Sequence, residues 1–380
     1  MTINQAIFNA AKTDYEKTPI ILGQPRGLLD TINRQYPKQN ELYEKLRGQD
    51  WTEKEFVFEL CRVEFKTVDP LIAKDMIRTL AWQWETDSVA SSTISGIMSG
   101  VCSSSEVWTG YQRISDNESI HARTYAEIVR QSFDDPVAAM EQFKNDSDAH
   151  LRLHVVAKVF GDAYCASHRW ALYQFNPKAY PLTDRERYEI FDAIFLYIVA
   201  LLIMERCQFM PSFAVTFGIC AMMLFQPIGD AVQRIAQDEV EIHVPFGKAN
   251  IESLLSTDRG REAFKNNKHV IIAMLNEAIA GEDRWVDVMH EDGHEHTGMS
   301  PSSLKRFNYF GGTDVAYFLG IENDVNFPMV MDNPLPYMNS RVNLRKTQAS
   351  PQEAPPVAYM VNAVTRDDAG KVFDFDLDDE

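Results

Sequence analysis

The chain is short of positive charge: 37 Lys and Arg face 55 Asp and Glu over 380 residues, a formal net charge of −18. That argues against a nucleic-acid-binding surface, which needs a basic patch. Cysteine is scarce as well. The five thiols (Cys61, Cys102, Cys165, Cys207 and Cys220) are an odd number and none forms a C-x-x-C pair. A reduced, cytoplasmic chain that uses them as small core residues is the expectation. The opening MTINQAIFNAAKTDYEK lacks the basic and apolar order of a secretory leader. Runs of alternating strand-type residues are missing, and no short repeat recurs. What is present is apolar content: 45% hydrophobic and 11% aromatic residues exclude a disordered chain and supply a sizeable core.

One segment is poor in charge of either sign. Residues 207–229, CQFMPSFAVTFGICAMMLFQPIG, carry none, and neither do Ala193–Met204 just before them. Only Glu205 and Arg206 interrupt the two runs. A membrane span centred here would bury both charges, so a core helix surrounded by other helices is the better reading. A carboxylate buried in such a helix needs a cation, which makes Glu205 the first chemical clue.

Helical spacing dominates the rest. Residues 55–86 read as helical, divided by Pro70, and 117–131 and 136–174 read as helices. Thr183 and Glu186 form a capping box that opens a long apolar helix from about 184 to 225, with Pro211 expected to kink it. Further helices are predicted over 228–247, over 260–280 and from Ser300-Pro301 toward Phe310. From Arg341 the pattern stops. Three prolines and an acidic end predict a flexible tail over 341–380 behind one helical domain over 1–340.

Two helices carry metal-type pairs. Glu118 and His121 stand at i,i+3, and Glu239 and His243 at i,i+4, both on one helix face. Each pair follows an isolated acid, Asp87 and Glu205, at a similar distance. That order resembles the di-iron carboxylate four-helix bundle, in which two helices give one acid each and two give an acid plus a histidine. Four carboxylates balance the charge of two ferrous ions. Oxygen donors with one imidazole per metal suit iron or manganese better than zinc. Tyr125 lies four residues after His121, on the same face.

The run Glu118-Ser-Ile-His121-Ala-Arg-Thr-Tyr125 resembles the signature of the small (beta) subunit of class I ribonucleotide reductase. The resemblance extends through Gly23-Gln24-Pro25, Trp51, Asp87-Ser88, Glu205 with Phe209 and Phe213, Ile235, Asp238-Glu239 and Asn333-Pro334-Leu335-Pro336, to Tyr359 and the acidic, aromatic end. It implies an all-α, ferritin-like di-iron bundle. Asp87, Glu118 and His121 would bind one iron, and Glu205, Glu239 and His243 the other, with Glu118 and Glu239 able to bridge. Two iron ions are the implied cofactor, manganese the less favoured alternative. The centre would reduce O2 and leave a tyrosyl radical on Tyr125, inside an apolar pocket that includes Phe209, Phe213 and Ile235. Trp51 and Asp238 match an internal relay and Tyr359 a relay residue of the tail. The chain would be a homodimer acting with a separate alpha (large) subunit. The tail, through Glu353 and Phe373-Asp-Phe-Asp-Leu377, would dock on that subunit, which reduces ribonucleoside diphosphates.

The second pair departs from the family's E-x-x-H by one residue. Either a local helix bulge absorbs the extra residue or the i+4 rotamer reaches the same metal. Glu241, two residues from His243, points away. His290, His294 and His296 fall in a polar loop, and His150, His154 and His168 share no stripe with acids, so both groups read as structural. The alternatives are a di-iron oxygenase or oxidase on the same fold, which would not need Tyr359 or the acidic aromatic tail, and an iron-storage protein, which would not need an oxidisable Tyr125.

Overall fold

The computed structural model describes residues 3–146, 148, 152–293, 295 and 299–342. Of the predicted tail, Arg341 closes a helix and Val342 follows it; residues 343–380, with Glu353, Tyr359 and Phe373–Leu377, lie outside the described residues, as do His150, His294 and His296. Among the described residues the architecture is helical, and no extended β-strand forms.

Helix α1 spans Pro37–Gly48, α2 Cys61–Thr67, α3 Pro70–Val101, α4 Ser105–Ser132, α5 Pro136–Asp146 and α6 His154–Phe175. Helix α7 (Asp184–Ile203) runs into a π-helical turn, Met204–Gln208, and then α8 (Phe209–Ala221). Helix α9 (Gln226–Asp238) runs into a second π turn, Glu239–His243, and then α10 (Val244–Leu255). Helices α11 (Asp258–Met289), α12 (Pro301–Leu319) and α13 (Pro336–Arg341) complete the order.

The helix starts follow from local chemistry. Pro70 divides α2 from α3 as predicted, and the Asp69 side chain accepts from Leu71 N at the new start. Ser104 caps α4 in the same way. The predicted Thr183–Glu186 capping box opens α7, each side chain accepting from the other's backbone N–H. Ser300 caps α12 with Pro301 in its first turn.

Several boundaries differ from the sequence reading, and these bear most on the path of the chain. The predicted helix over 136–174 is two helices, α5 and α6. Between them Asp148 takes a left-handed backbone with φ of +52°, a conformation that ends a right-handed helix. The predicted helix over 184–225 is interrupted by the first π turn, before Pro211, and it ends at Ala221. Pro211 then stands in the first turn of α8, where its missing N–H is tolerated. Left-handed Met223 and Phe225 turn the chain into α9. The uncharged run therefore bends back on itself, and no helix among the described residues is long and apolar enough to cross a membrane.

Helix α3 lies along α4, α6 and α8, while α7 packs on α6, α10 and α11. Gly110 lets α4 approach α10: a Cβ there would stand 2.3 Å from the Phe246 ring. α8 is buried throughout, from Phe209 to Cys220, as a core helix apolar on every side must be. Four of the five cysteines are buried in this core; Cys165 is exposed, unlike the expectation.

Candidate dimetal centre

Each predicted ligand sits on the buried stripe of its helix. On α3, Leu80, Gln83, Asp87, Ala90 and Ile94 recur at steps of three and four and are all buried. On α4 the stripe is Ile114, Asn117, Glu118, His121, Tyr125 and Ile128. Glu205 lies in the first π turn, and Glu239 and His243 bound the second. Asp87, Glu118, His121, Tyr125 and Glu239 are fully buried, and Glu205 and His243 nearly so.

These side chains form two donor groups. Asp87, Glu118, His121 and Glu239 each offer an atom within 4.8 Å of the others, and so do Glu118, Glu205, Glu239 and His243. Glu118 and Glu239 belong to both. Glu118 Oε2 is 3.4 Å from His121 Nδ1 and its Oε1 is 3.1 Å from His243 Nδ1. Glu239 Oε1 is 3.2 Å from His121 Nδ1 and its Oε2 is 2.7 Å from His243 Nδ1. Asp87 Oδ2 stands 3.9 Å from His121 Nδ1. Two carboxylates with one oxygen toward each imidazole is the arrangement that bridging ligands need.

The i+4 spacing of Glu239 and His243 is absorbed by the bulge rather than by a rotamer. The π turn takes in one residue more than an α turn and returns His243 to the side of Glu239. Glu241 points outward, its Oε2 2.6 Å from Lys45 Nζ.

The electrostatics call for cations. Both oxygens of Asp87, Glu118, Glu205 and Glu239 are buried without a well-aligned hydrogen bond, as are the Nδ1 atoms of both histidines, which Glu118 and Glu239 approach most closely. Burial, then the neighbouring acids, raises the Asp87 and Glu205 carboxyls well above the usual carboxylate range. Burial alone would lower His121 and His243; the carboxylates around them override it, raising His121 well above its usual value and His243 to about 10. Glu239 is also buried, yet the two histidines hold its carboxyl low. Protons thus stand where positive charge is required, and a pair of divalent cations fits the same donor set.

Around this centre, Trp51 Nε1 donates to Asp238 Oδ2 at 2.8 Å, and His121 Nε2 lies 3.2 Å from the same oxygen. The Trp51 and His121 rings stack with centroids 5.8 Å apart. The Tyr125 hydroxyl is buried, without a well-aligned hydrogen bond, and the Asp87 carboxyl is the side chain that interacts with it most strongly. Burial, then Asp87, Glu239 and Glu118, raises its pKa well above the usual phenol value, so it stays protonated. Phe209 and Phe213 stack at 5.8 Å, and they and Ile235 lie in the same core as Tyr125.

Two supports went unnoticed in the sequence. Asn117 bridges His243 and Asp238, with Oδ1 2.9 Å from His243 Nε2 and Nδ2 3.1 Å from Asp238 Oδ2. Its place four residues before His121 repeats the spacing that singled out Tyr125. The second is Arg152, fully buried between the rings of Trp82 and Trp285 and paired with Glu282 at 2.6 Å. It donates to the Gln208 carbonyl at 2.8 Å, at the end of the Glu205 π turn, and Gln208 Nε2 donates back to the Arg152 carbonyl at 2.6 Å. Among the other described histidines, His168 Nδ1 lies 2.8 Å from the Tyr164 carbonyl, His290 Nδ1 lies 2.8 Å from that of Val286, and His154 is exposed.

Comparison with known proteins bears on the fold and the family. The beta subunit of ribonucleoside-diphosphate reductase from Buchnera aphidicola subsp. Schizaphis graminum is 21% identical over 379 residues, covering 96% of this chain and 97% of that one. The ribonucleotide reductase R2 subunit from Clostridium botulinum superposes with a TM-score of 0.69 at 15% identity, over 90% of this chain and 99% of that one. Streptococcus sanguinis dimanganese(II)-NrdF superposes with a TM-score of 0.56 at 14% identity, over 80% and 95%. The family model for the ribonucleotide reductase small chain matches residues 29–323, and the chain belongs to that family.

Proposed function

We propose that this chain is the radical-generating beta subunit of an aerobic class I ribonucleotide reductase. The observation that carries the reading is the pair of donor groups sharing Glu118 and Glu239, with buried Tyr125 one helical turn beyond His121. Asp87, Glu118 and His121 would hold one metal ion and Glu205, Glu239 and His243 the other. Iron is the expected pair. Manganese suits the same donors, and a structural relative is a dimanganese(II) protein. When bound in reduced form, the two ions supply the electrons that activate dioxygen and so provide an oxidant strong enough for a phenol.

The chain's own residues do the rest. Tyr125 gives up one electron and its phenolic proton, with Asp87 the nearby base able to take that proton. Burial excludes water and reductants from the resulting radical, and Phe209, Phe213 and Ile235 supply an apolar wall with no group to quench it. His121, Asp238 and Trp51 form a hydrogen-bonded and stacked route away from the centre, suited to moving an oxidising equivalent outward. From there Tyr359 of the tail would pass it to a separate large subunit that reduces ribonucleoside diphosphates. The chain would work as a homodimer in the cytoplasm, with residues 341–380 as its docking tail.

Reconstitution tests this reading. The iron-loaded, aerated chain mixed with its large subunit should reduce a ribonucleoside diphosphate. A chain lacking residues 371–380 should form the same radical yet lose that activity. Turnover that survives the truncation would remove the tail's role. Turnover of an organic substrate without any large subunit would favour an oxygenase.

A further inference from the structure

Asn117 is buried directly before Glu118, at 2% exposure. Its amide orientation follows from chemistry. Asp238 accepts hydrogen bonds, so the amide NH2 faces Asp238 Oδ2 at 3.1 Å and the amide oxygen faces His243 Nε2 at 2.9 Å. His243 Nε2 is then the donor, and Nδ1 is left toward Glu118 and Glu239, at 3.1 and 2.7 Å. Asp238 Oδ2 also accepts from Trp51 Nε1 and lies 3.2 Å from His121 Nε2. Through Asp238, one amide therefore links the outer nitrogens of both histidines, which come from different helices.

The second π turn gives this bridge a purpose. It sets His243 four residues after Glu239 in a loosely wound segment, where the helix alone defines the ring direction poorly. We infer that Asn117 is a positioning residue that sets the His243 ring and couples the second metal position to the Asp238–Trp51 pair. The inference rests on the dimetal reading above. Partners of this kind on the outer nitrogen of a ligating histidine fix its orientation, and their loss typically lowers metal affinity by about 10–100-fold.

The test is a Mn(II) titration of the full chain, with free Mn(II) read by EPR and folding checked by thermal melting. The parent should bind two ions. Asn117→Asp keeps the shape but turns the donor facing Asp238 into a like charge, and Asn117→Leu keeps the bulk without polar atoms. Each should weaken the His243 position by about 10–100-fold, with a smaller loss at the His121 position, which Asn117 reaches only through Asp238. Should Asn117→Leu fail to fold, the isosteric Asn117→Asp decides. Parental affinity at both positions, or an equal loss at both, would overturn the inference while leaving the dimetal reading intact. A parent that binds fewer than two ions would overturn that reading and the inference with it.

Discussion

At the residue scale the molecule keeps charge in its core only where another group answers it. Glu282 illustrates the rule away from the metal centre. Burial pushes its carboxyl up to about 7, with the Arg152 guanidinium pulling the other way. A carboxyl raised in the folded chain contributes stability that is complete below its ordinary value near 4.5 and is lost as pH climbs through about 7. Glu282→Gln holds the neutral form at every pH. Between about pH 5 and about pH 7.5 the melting temperature of the metal-free parent should therefore fall relative to that of the variant. Parallel profiles would show that Glu282 titrates alike in the folded and unfolded chain. In the sequence Glu282 was one charge among many on a helix. Arg152 and Asn117 were equally silent, because their partners stand far along the chain and a spacing rule sees only neighbours.

At the element scale the helices were legible and their interruptions were not. Capping residues and prolines marked the starts of α3, α7 and α12, since a helix start is a local event. A π turn leaves little local trace: one extra residue slips into an apolar pattern that still reads as a helix of 3.6 residues per turn. Both π turns carry candidate ligands, Glu205 in one and Glu239 with His243 in the other. The only hint was the extra residue between Glu239 and His243. Deleting Val240, a partly buried residue, should convert the second π turn to an α turn, keep α10 in register and leave an E-x-x-H pair. The deleted chain is expected to bind two metal ions with a melting temperature no lower than the parent's. Loss of one ion would show that the wider turn is itself required for the ligand geometry.

At the scale of the whole molecule, the bundle concentrates acidic groups at its centre, and in the metal-free chain protons compensate them. Asp87 and Glu205 are raised well above the carboxylate range, and His121 and His243 are raised too. Loading two divalent ions near neutral pH must expel those protons, so metal affinity should rise with pH. Calorimetric titration in buffers of different ionisation enthalpy should show protons released per chain. A heat independent of the buffer would contradict the assignment. The net charge of −18 takes on structure in this light: four of the negative charges are the proposed ligands. Residues 366–380 add seven acids and two bases, a net −5 that belongs to the tail. The bundle and its ligand stripes were open to sequence reading because burial repeats at helical steps. The way four helices bring those stripes to one point needed the structure.

Oxidation of Tyr125 beside a two-metal centre can be read by EPR of the iron-loaded, aerated chain, with metal analysis on the same sample. A doublet-type tyrosyl signal with two irons per chain is expected, together with its loss in Tyr125→Phe with both irons retained. A signal that persists in Tyr125→Phe, or its absence from a fully loaded parent, would show that Tyr125 is not the residue oxidised.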